Sequence, residues 1–450
     1  MVIKYVENVK KLLIIEGVLT LWLFLLIWTN IRKHQKSCSP EDNINLTEDS
    51  LIDMIIMCGL PFSFVENEYF ILFCSTLNYK PLCTNTLHTR LQNREKEQDN
   101  TILDLLTVSS KKCIMVDGWT GKNVDHYQSL GVRVIDKDWN SYDICLAFVE
   151  LSTRKTGRNI SNWVTSVFEE WSISNRDVIA FIADNGANMV KSGEYLTNEQ
   201  DISFFRCSAH TLQLAIKDTL KSNEYIQNCI SQSRSFVTAI HTSYILMRRY
   251  KEICIEKNER CRKLNSDVST RWNSTYYMLE QVMSMRKVLI QLYAENEKQL
   301  PFESIETWDI LNDVVQILAP VKESSIIFEG EKTSYISELI PTIRGLLDYL
   351  QVVFVNENNS DQNHIELKTS LGQTFRNHLI SNIQHRFKDY ISLPNEIKEE
   401  INQSIFNLNQ ISIPYIATAL DIRYKACLGL NDDERKVVKM MLYKLIEWNT

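Results

Sequence analysis

The chain has 450 residues, of which 44% are hydrophobic and 23% are charged, and this length allows two or three domains. Its 12 glycines and 8 prolines are too few for a fibrous or disordered protein and favour a helix-rich one. The net charge of -7 does not favour nucleic-acid binding, although a local basic face is compatible with it. Eleven cysteines without a CxxC pair disfavour a disulfide framework and fit reduced thiols.

Residues 1–43 contain a hydrophobic stretch, Leu12–Trp28, which carries a single charge at Glu16. Its length is at the lower limit for a membrane helix, and basic residues on both sides leave the orientation undecided. No small-residue cleavage site follows, which disfavours a removable signal peptide. Two interpretations stay open, a membrane helix and a gene-model artefact. We prefer the second, because nothing downstream is typical of an extracytoplasmic protein.

Residues 44–110 have helical periodicity, broken at Gly59-Leu60-Pro61, where we expect one helix to end before another begins. Residues 111–222 change to a strand pattern with one amphipathic helix at Asn159–Trp171. The predicted strands are Cys113–Asp117, Tyr127–Ile135, Asp143–Glu150 and Val178–Asp184. This order predicts a mixed sheet with helices packed on it, and residues 223–450 show helical patterns only.

Two predicted strands end in an aspartate, Asp117 in "VDGWT" and Asp184 in "ADNGANM". If the strands are neighbours, both carboxylates emerge at the same edge of the sheet. Carboxylate pairs bind Mg²⁺, and metal ions of this kind assist phosphoryl transfer. Aspartates are also common turn residues, so the pattern alone supports both interpretations equally. Glu194 and Glu199 lie in a predicted loop and are not assigned to this site.

Cys207 and His210 have CxxH spacing at a predicted helix start. A structural zinc site needs four ligands, and no partner motif is visible in the sequence. The pattern therefore favours a packed cysteine and a hydrogen-bonded histidine over a metal site.

A second group of candidates suits nucleic-acid contact. Arg271 and Trp272 begin a predicted helix, where a guanidinium and an indole would suit a phosphate and a stacked base. The segment from Arg248 and Arg249 to Lys263 holds seven basic and three acidic residues. Each feature has a plain alternative, a core tryptophan and a solvated helix face respectively.

The ordered set of motifs resembles the hAT-superfamily transposases and their BED-type zinc-finger relatives. The motifs that carry this resemblance are "LPFSFVEN" (60–67), "VDGWT" (116–120), "ADNGANM" (183–189), "RCSAHTLQLAIKD" (206–218), "TRWNST" (270–275) and "ATALDIRYK" (417–425). The resemblance implies an RNase H-like core with a mixed β-sheet, interrupted by a large all-helical insertion domain. With the residue patterns it gives four regions: 1–43, a helical region at 44–110, an incomplete core at 111–222 and the insertion at 223–450.

The resemblance also implies roles for single residues. It places two metal-binding catalytic acids at Asp117 and Asp184, with Mg²⁺ or Mn²⁺ as the cofactor. Cys207 and His210 take the place of the family's CxxH motif near the active site. Arg271 and Trp272 take the place of its DNA-contacting pair, in which the tryptophan stacks on a flipped base.

Three hypotheses about function follow. In the first, the chain is a nuclear, transposase-derived DNA-binding protein. It is inactive as written, because the family's third acid, its dimerisation region and its BED finger are missing. Because the dimerisation region is missing, it stays undecided whether the chain forms a homo-oligomer. In the second hypothesis the chain is a transposase or nuclease completed locally or in trans. In the third it is a membrane-anchored protein with transposase ancestry only.

Overall fold

The computed structural model describes residues 42–109, 111–121, 125–151, 154–268, 272–296, 304–330, 336–352, 365–392, 412–424 and 430–448. The hydrophobic stretch Leu12–Trp28 and the motif residues Arg271 and Lys425 lie outside these ranges. None of the helices within them is long and apolar enough to cross a membrane. The chain forms two compact units, Met1–Cys207 and Ser208–Thr450.

The described part of the first unit begins with three helices, α1 (Asp42–Met57), α2 (Glu68–Thr76) and α3 (Thr84–Val108). Gly59 ends α1 in the left-handed region with φ 61°, a conformation that glycine adopts without a steric penalty. The predicted break at Gly59-Leu60-Pro61 is therefore confirmed. Apolar residues of α1 and α3, among them Ile55 and Leu87, form a small core of their own.

A five-stranded sheet follows, with the order β3-β2-β1-β4-β5. Its strands are β1 (Lys112–Thr120), β2 (His126–Ile135), β3 (Ser141–Glu150), β4 (Val178–Ala183) and β5 (Ser203–Arg206). The first three strands pair antiparallel, whereas β1 pairs parallel with β4 and β4 parallel with β5. The mixed sheet and the helical crossover to the fourth strand were predicted correctly.

Two helices pack on the sheet, α4 (Gly157–Glu170) and α5 (Ala187–Gln200). Helix α4 begins where the Thr156 hydroxyl accepts a hydrogen bond from the Asn159 amide, 3.2 Å away. It buries a stripe of apolar residues at spacings of four and three, including Ile160, Val164 and Val167. These side chains join the core formed by β1, β2 and β4.

Helix α5 and strand β5 were missed by the sequence pattern, and the loop predicted around Glu194 and Glu199 is wrong. The buried face of α5 contains Ser192 and Gly193 beside Met189 and Leu196. Small and polar residues on a buried face weaken the apolar periodicity on which helix prediction depends. Both glutamates are exposed, and they form ion pairs of 2.7 Å with Lys191 and Arg158 respectively.

All regular secondary structure in the described part of the second unit is helical, as predicted. Its helices are α6 (Ser208–Lys221), α7 (Glu224–Thr242), α8 (Tyr244–Glu256), α9 (Trp272–Ser284), α10 (Arg286–Glu295), α11 (Ile305–Glu329), α12 (Leu339–Val352), α13 (Ser370–Ile391), α14 (Ser412–Leu420) and α15 (Asp432–Trp448). Helix α6, which the sequence placed in the core region ending at 222, packs against α13. There Asn382 donates a hydrogen bond to Thr219 at 2.9 Å.

A buried carboxylate fixes the segment that precedes α9. Asp267, whose side chain is 0% exposed, accepts two hydrogen bonds from the Arg234 guanidinium of α7, at 2.6 and 2.7 Å. It also accepts one from the Thr275 hydroxyl of α9, at 2.8 Å. Bidentate, charge-assisted contacts of this kind are geometrically specific, so Asp267 sets where α9 begins.

Candidate functional site at the edge of the sheet

The register of β1 and β4 brings the two predicted catalytic aspartates together. Val116 of β1 pairs with Ala183 of β4, and this is the last parallel pair. Asp117 and Asp184 are the next residues on the two neighbouring strands. Because parallel strands lie about 4.8 Å apart, both carboxylates start from adjacent positions at the carboxyl edge. The expectation that these two strands are neighbours is confirmed.

Each carboxylate is oriented by the backbone that follows it. An oxygen of Asp117 accepts a hydrogen bond from the Gly118 amide at 2.8 Å, and Asp184 accepts one from the Gly186 amide at 2.8 Å. A Cβ at position 186 would lie 2.9 Å from the Asp184 oxygen, so glycine gives this carboxylate its space. Helix α5 begins at Ala187, and the positive end of its dipole favours a carboxylate nearby.

One residue of this edge, Lys155, was missed by sequence reasoning. It lies in the connection from β3 to α4, and its ammonium donates a hydrogen bond to the Gly118 carbonyl at 3.3 Å. A Cβ at position 118 would stand 2.7 Å from Nζ. The signal available in the sequence was its place after a strand that ends at the same edge as Asp117.

The residues at the edge fit part of a metal site. Carboxylate oxygens are the ligands that Mg²⁺ and Mn²⁺ prefer, and Mg²⁺ commonly uses one or two carboxylates together with water and substrate phosphate. Within the described ranges, no cluster of three or more His, Cys, Asp and Glu side chains has a metal-binding arrangement. The donor set that the structure assembles is therefore the pair of aspartates.

The CxxH residues lie on either side of the boundary between the two units. The sequence had suggested that Cys207 lies at the start of a helix, but it precedes α6. Its amide donates a hydrogen bond to the Ala183 carbonyl at 2.8 Å. This bond extends the ladder between β4 and β5. His210 lies in the first turn of α6, and both side chains are half-buried.

Trp272 is the first residue of α9, as predicted, but its side chain is buried and only 6% exposed. Its ring lies 6.4 Å from that of Tyr276 in a tilted arrangement. Stacking on a base needs an open ring face, so a base could reach Trp272 only after a local rearrangement. This burial favours the alternative of a core tryptophan.

The basic helix α8 is more neutral in three dimensions than in sequence. Arg249 hydrogen-bonds Glu256 and Glu295, each at 2.6 Å, and the bond from Arg249 lowers the pKa of Glu295 to about 2. Arg248 is exposed and pairs with Glu252 at 2.9 Å. Arg249 is therefore already matched by carboxylates within its own unit.

Comparisons with known proteins agree with this layout. Residues 115–203 match the family model of the ZBED1 RNase-like domain, and residues 205–317 match that of the ZBED1 RNase-like helical domain. The two matches meet close to Cys207, where the two compact units divide. The matched regions contain Asp117, Asp184, His210 and Trp272.

Several curated relatives are similar over more than half of the chain. A Zea mays protein named as an AC transposase is 28% identical over 54% of this chain and 32% of its own length. The zinc finger BED domain-containing protein RICESLEEPER 3 of Oryza sativa is 23% identical over 62% of this chain and 39% of its own. The human zinc finger BED domain-containing protein 4 is 22% identical over 44% and 16% respectively. The matched region thus spans about a third of the length of the first two relatives.

Proposed function

Because the chain belongs to the hAT-type transposase-derived proteins, we propose that it binds DNA in the nucleus through a transposase-like core. The observation that carries this proposal is the register that sets Asp117 beside Asp184 at one edge of the sheet. A pair of adjacent carboxylates at a strand edge suits a metal ion that contacts a phosphodiester.

Asp117 and Asp184 would supply oxygen ligands to a Mg²⁺ or Mn²⁺ ion. When bound, the ion would polarise a phosphodiester and activate an attacking oxygen. The amides of Gly118 and Gly186 hold the two carboxylates in place, which lowers the cost of ordering them when an ion binds. Since two carboxylates are only part of an octahedral shell, we expect ion binding to strengthen when DNA phosphate is present.

Titration with Mn²⁺, followed by the loss of its free EPR signal, tests the metal site. We expect weak binding by the 450-residue chain and a large loss of binding in Asp184→Asn. Glu199→Gln serves as the control, because it removes one charge in the last turn of α5, whereas Asp184 precedes the first turn of that helix. Equal Mn²⁺ binding by the chain, Asp184→Asn and Glu199→Gln would contradict the proposed site.

Fluorescence anisotropy with labelled duplex DNA tests the second part of the proposal. Phosphate contacts release counterions, so the logarithm of the association constant should fall linearly with the logarithm of salt concentration. Absence of binding even at about 50 mM salt, where such contacts are strongest, would refute DNA binding. Strand cleavage is a separate question, and the prediction that this chain does not cleave DNA stays a prediction. Mg²⁺- or Mn²⁺-dependent cleavage of the DNA ends flanking its own gene would contradict it.

A further inference from the structure

We propose that Lys155 holds a phosphate group of the DNA strand that reaches the Asp117–Asp184 edge. This inference rests on the proposed function and adds a residue to it. Lys155 is a positioning residue in this account, because it would bind a phosphate beside the carboxylates and take no part in bond making.

The topology places Lys155 at the same edge as the two aspartates. Strand β2 runs antiparallel to both β1 and β3, so β1 and β3 point in the same direction. The chain that leaves β3 at Glu150 therefore starts from the edge at which β1 delivers Asp117. Lys155 lies on this connection, two residues before α4 begins at Gly157.

The contact with Gly118 fixes the position of the ammonium more closely. Its hydrogen bond to the Gly118 carbonyl is long, at 3.3 Å, although an ammonium carries three donors. Gly118 follows Asp117 directly in β1, so the cation lies at the edge that carries Asp117, on the face of the strand to which a side chain at position 118 would point. Among the residues that the structure describes, this long bond is the one hydrogen bond of the half-buried Lys155 ammonium, so its other donors are available to a group that approaches this edge.

Charge balance explains why a cation is useful there. Asp117 and Asp184 place two negative charges at the edge, and a phosphodiester brings a further negative charge toward them. Without cations this approach is repulsive, and the repulsion is strongest where water is excluded. A lysine ammonium is a common phosphate ligand that acts as a point charge, and it offsets this repulsion together with a metal ion.

Gly118 keeps the space that the ammonium occupies. A Cβ at this position would stand 2.7 Å from Lys155 Nζ and 3.1 Å from the terminal carbon of Met189. Both atoms are the far ends of flexible side chains, so an alanine would displace them without disturbing the sheet. Gly118→Ala therefore moves the cation while leaving the Asp117 carboxylate in the sequence.

A second polar group, which is buried, lies on the face of the sheet to which a side chain at position 118 would point. Gln128 of β2 pairs with Gly118, and its side chain is 0% exposed. Neither amide atom of Gln128 has a hydrogen-bond partner among the described residues. Because cross-strand Cβ positions lie about 5 Å apart, this amide starts close to the Lys155 ammonium. The space beside Gly118 therefore contains two polar groups suited to an anion, the Lys155 ammonium and the Gln128 amide, next to the apolar end of Met189.

The test compares Lys155→Gln with Lys137→Gln by anisotropy on the same duplex DNA, without divalent metal and over a series of salt concentrations. Lys137 is an exposed lysine in the β2–β3 turn at the opposite edge of the same sheet, so it controls for the change in net charge. We expect Lys155→Gln to bind several-fold more weakly, with the salt slope reduced by about 0.9. Lys137→Gln should match the unsubstituted chain, and Lys155→Arg should restore most of the affinity.

A purely structural role for Lys155 gives a different result. In that case Lys155→Gln would lower the melting temperature but keep the slope of the unsubstituted chain, and this outcome would overturn the inference alone. Failure of the unsubstituted chain to bind DNA would overturn the proposed function and the inference together.

Gly118→Ala supplies an independent readout. We expect it to reproduce the loss seen in Lys155→Gln, and we expect the double variant to be no weaker than Lys155→Gln, because both changes remove the same contact. Fully additive losses in the double variant would contradict the inference, since Gly118 and Lys155 would then act separately.

Discussion

The buried carboxylate of Asp267 gives the sharpest prediction about stability. Asp267→Asn keeps the size of the side chain but removes the charge that binds the Arg234 guanidinium and the Thr275 hydroxyl. Breaking a buried ion pair by removing one partner costs about 3–5 kcal/mol. The Arg234 side chain is 38% exposed, so water can solvate it after the change, and the asparagine keeps one acceptor. We therefore expect a loss of about 2–3 kcal/mol.

Hydrogen–deuterium exchange of peptides from α7 and α9 in the full chain measures this loss locally, because both helices contact Asp267. Asp218→Asn is the matched control in the same unit. Asp218 pairs with Arg386 on the surface and is 46% exposed, so its pair should contribute about 0–1 kcal/mol. The reasoning is refuted if exchange in α7 and α9 rises no more in Asp267→Asn than in Asp218→Asn.

The same group predicts a pH dependence. Burial alone would raise the pKa of Asp267, but hydrogen bonds from Arg234 and Thr275 reverse this and hold it below its usual value. Because the pKa is lower in the folded protein, the stabilisation is fully present above the unfolded pKa of about 4. It is lost as the pH falls through the lowered folded pKa. Stability measured across this acidic range should fall less steeply in Asp267→Asn than in the unsubstituted chain.

Three further substitutions test other parts of the fold. Trp272→Ala should lower the free energy of unfolding in urea by about 3–5 kcal/mol, because the side chain is buried, and should change DNA affinity little. A loss of about 1–3 kcal/mol in DNA affinity would instead indicate base stacking. Gly193→Ala should lower the free energy of unfolding by about 1–3 kcal/mol, because its Cβ would stand 2.5 Å from a ring carbon of Phe204. Gly345→Ala, at an open helical position, should instead raise the melting temperature, and a similar rise in Gly193→Ala would contradict this reasoning. Gln128→Leu should leave stability unchanged or raise it by about 1 kcal/mol, and a loss above about 2 kcal/mol would show that the amide is hydrogen-bonded in solution.

Much of the sheet was predictable because its signals are local. The apolar runs that became β1 and β4, and the turn residues after them, lie within a few positions of Asp117 and Asp184. Gly59 likewise marks the end of α1 by its own backbone preference. Such features depend on the intrinsic preferences of neighbouring residues, which a single sequence displays directly.

Helix α5 shows where local signals fail. Its buried face includes Gly193, which is small because the ring of Phe204 packs against the helix backbone there. The reason for the glycine is a contact with β5, and nothing near Gly193 in the sequence reports that contact. A helix whose buried face is set by a close neighbour therefore loses the apolar period by which it would be recognised.

The sequence by itself determined the types of most elements and the two aspartates that follow the last parallel pair of β1 and β4, although β1 continues to Thr120 and does not end at Asp117 as predicted. Only the tertiary structure decided which charged and aromatic residues are available for binding. Arg249 is matched by Glu295, 46 positions away, and Trp272 is buried against neighbours that the sequence does not identify. Lys155 reaches Gly118 across 37 positions. Long-range packing sets these partners, whereas composition and periodicity report only each residue's own preference.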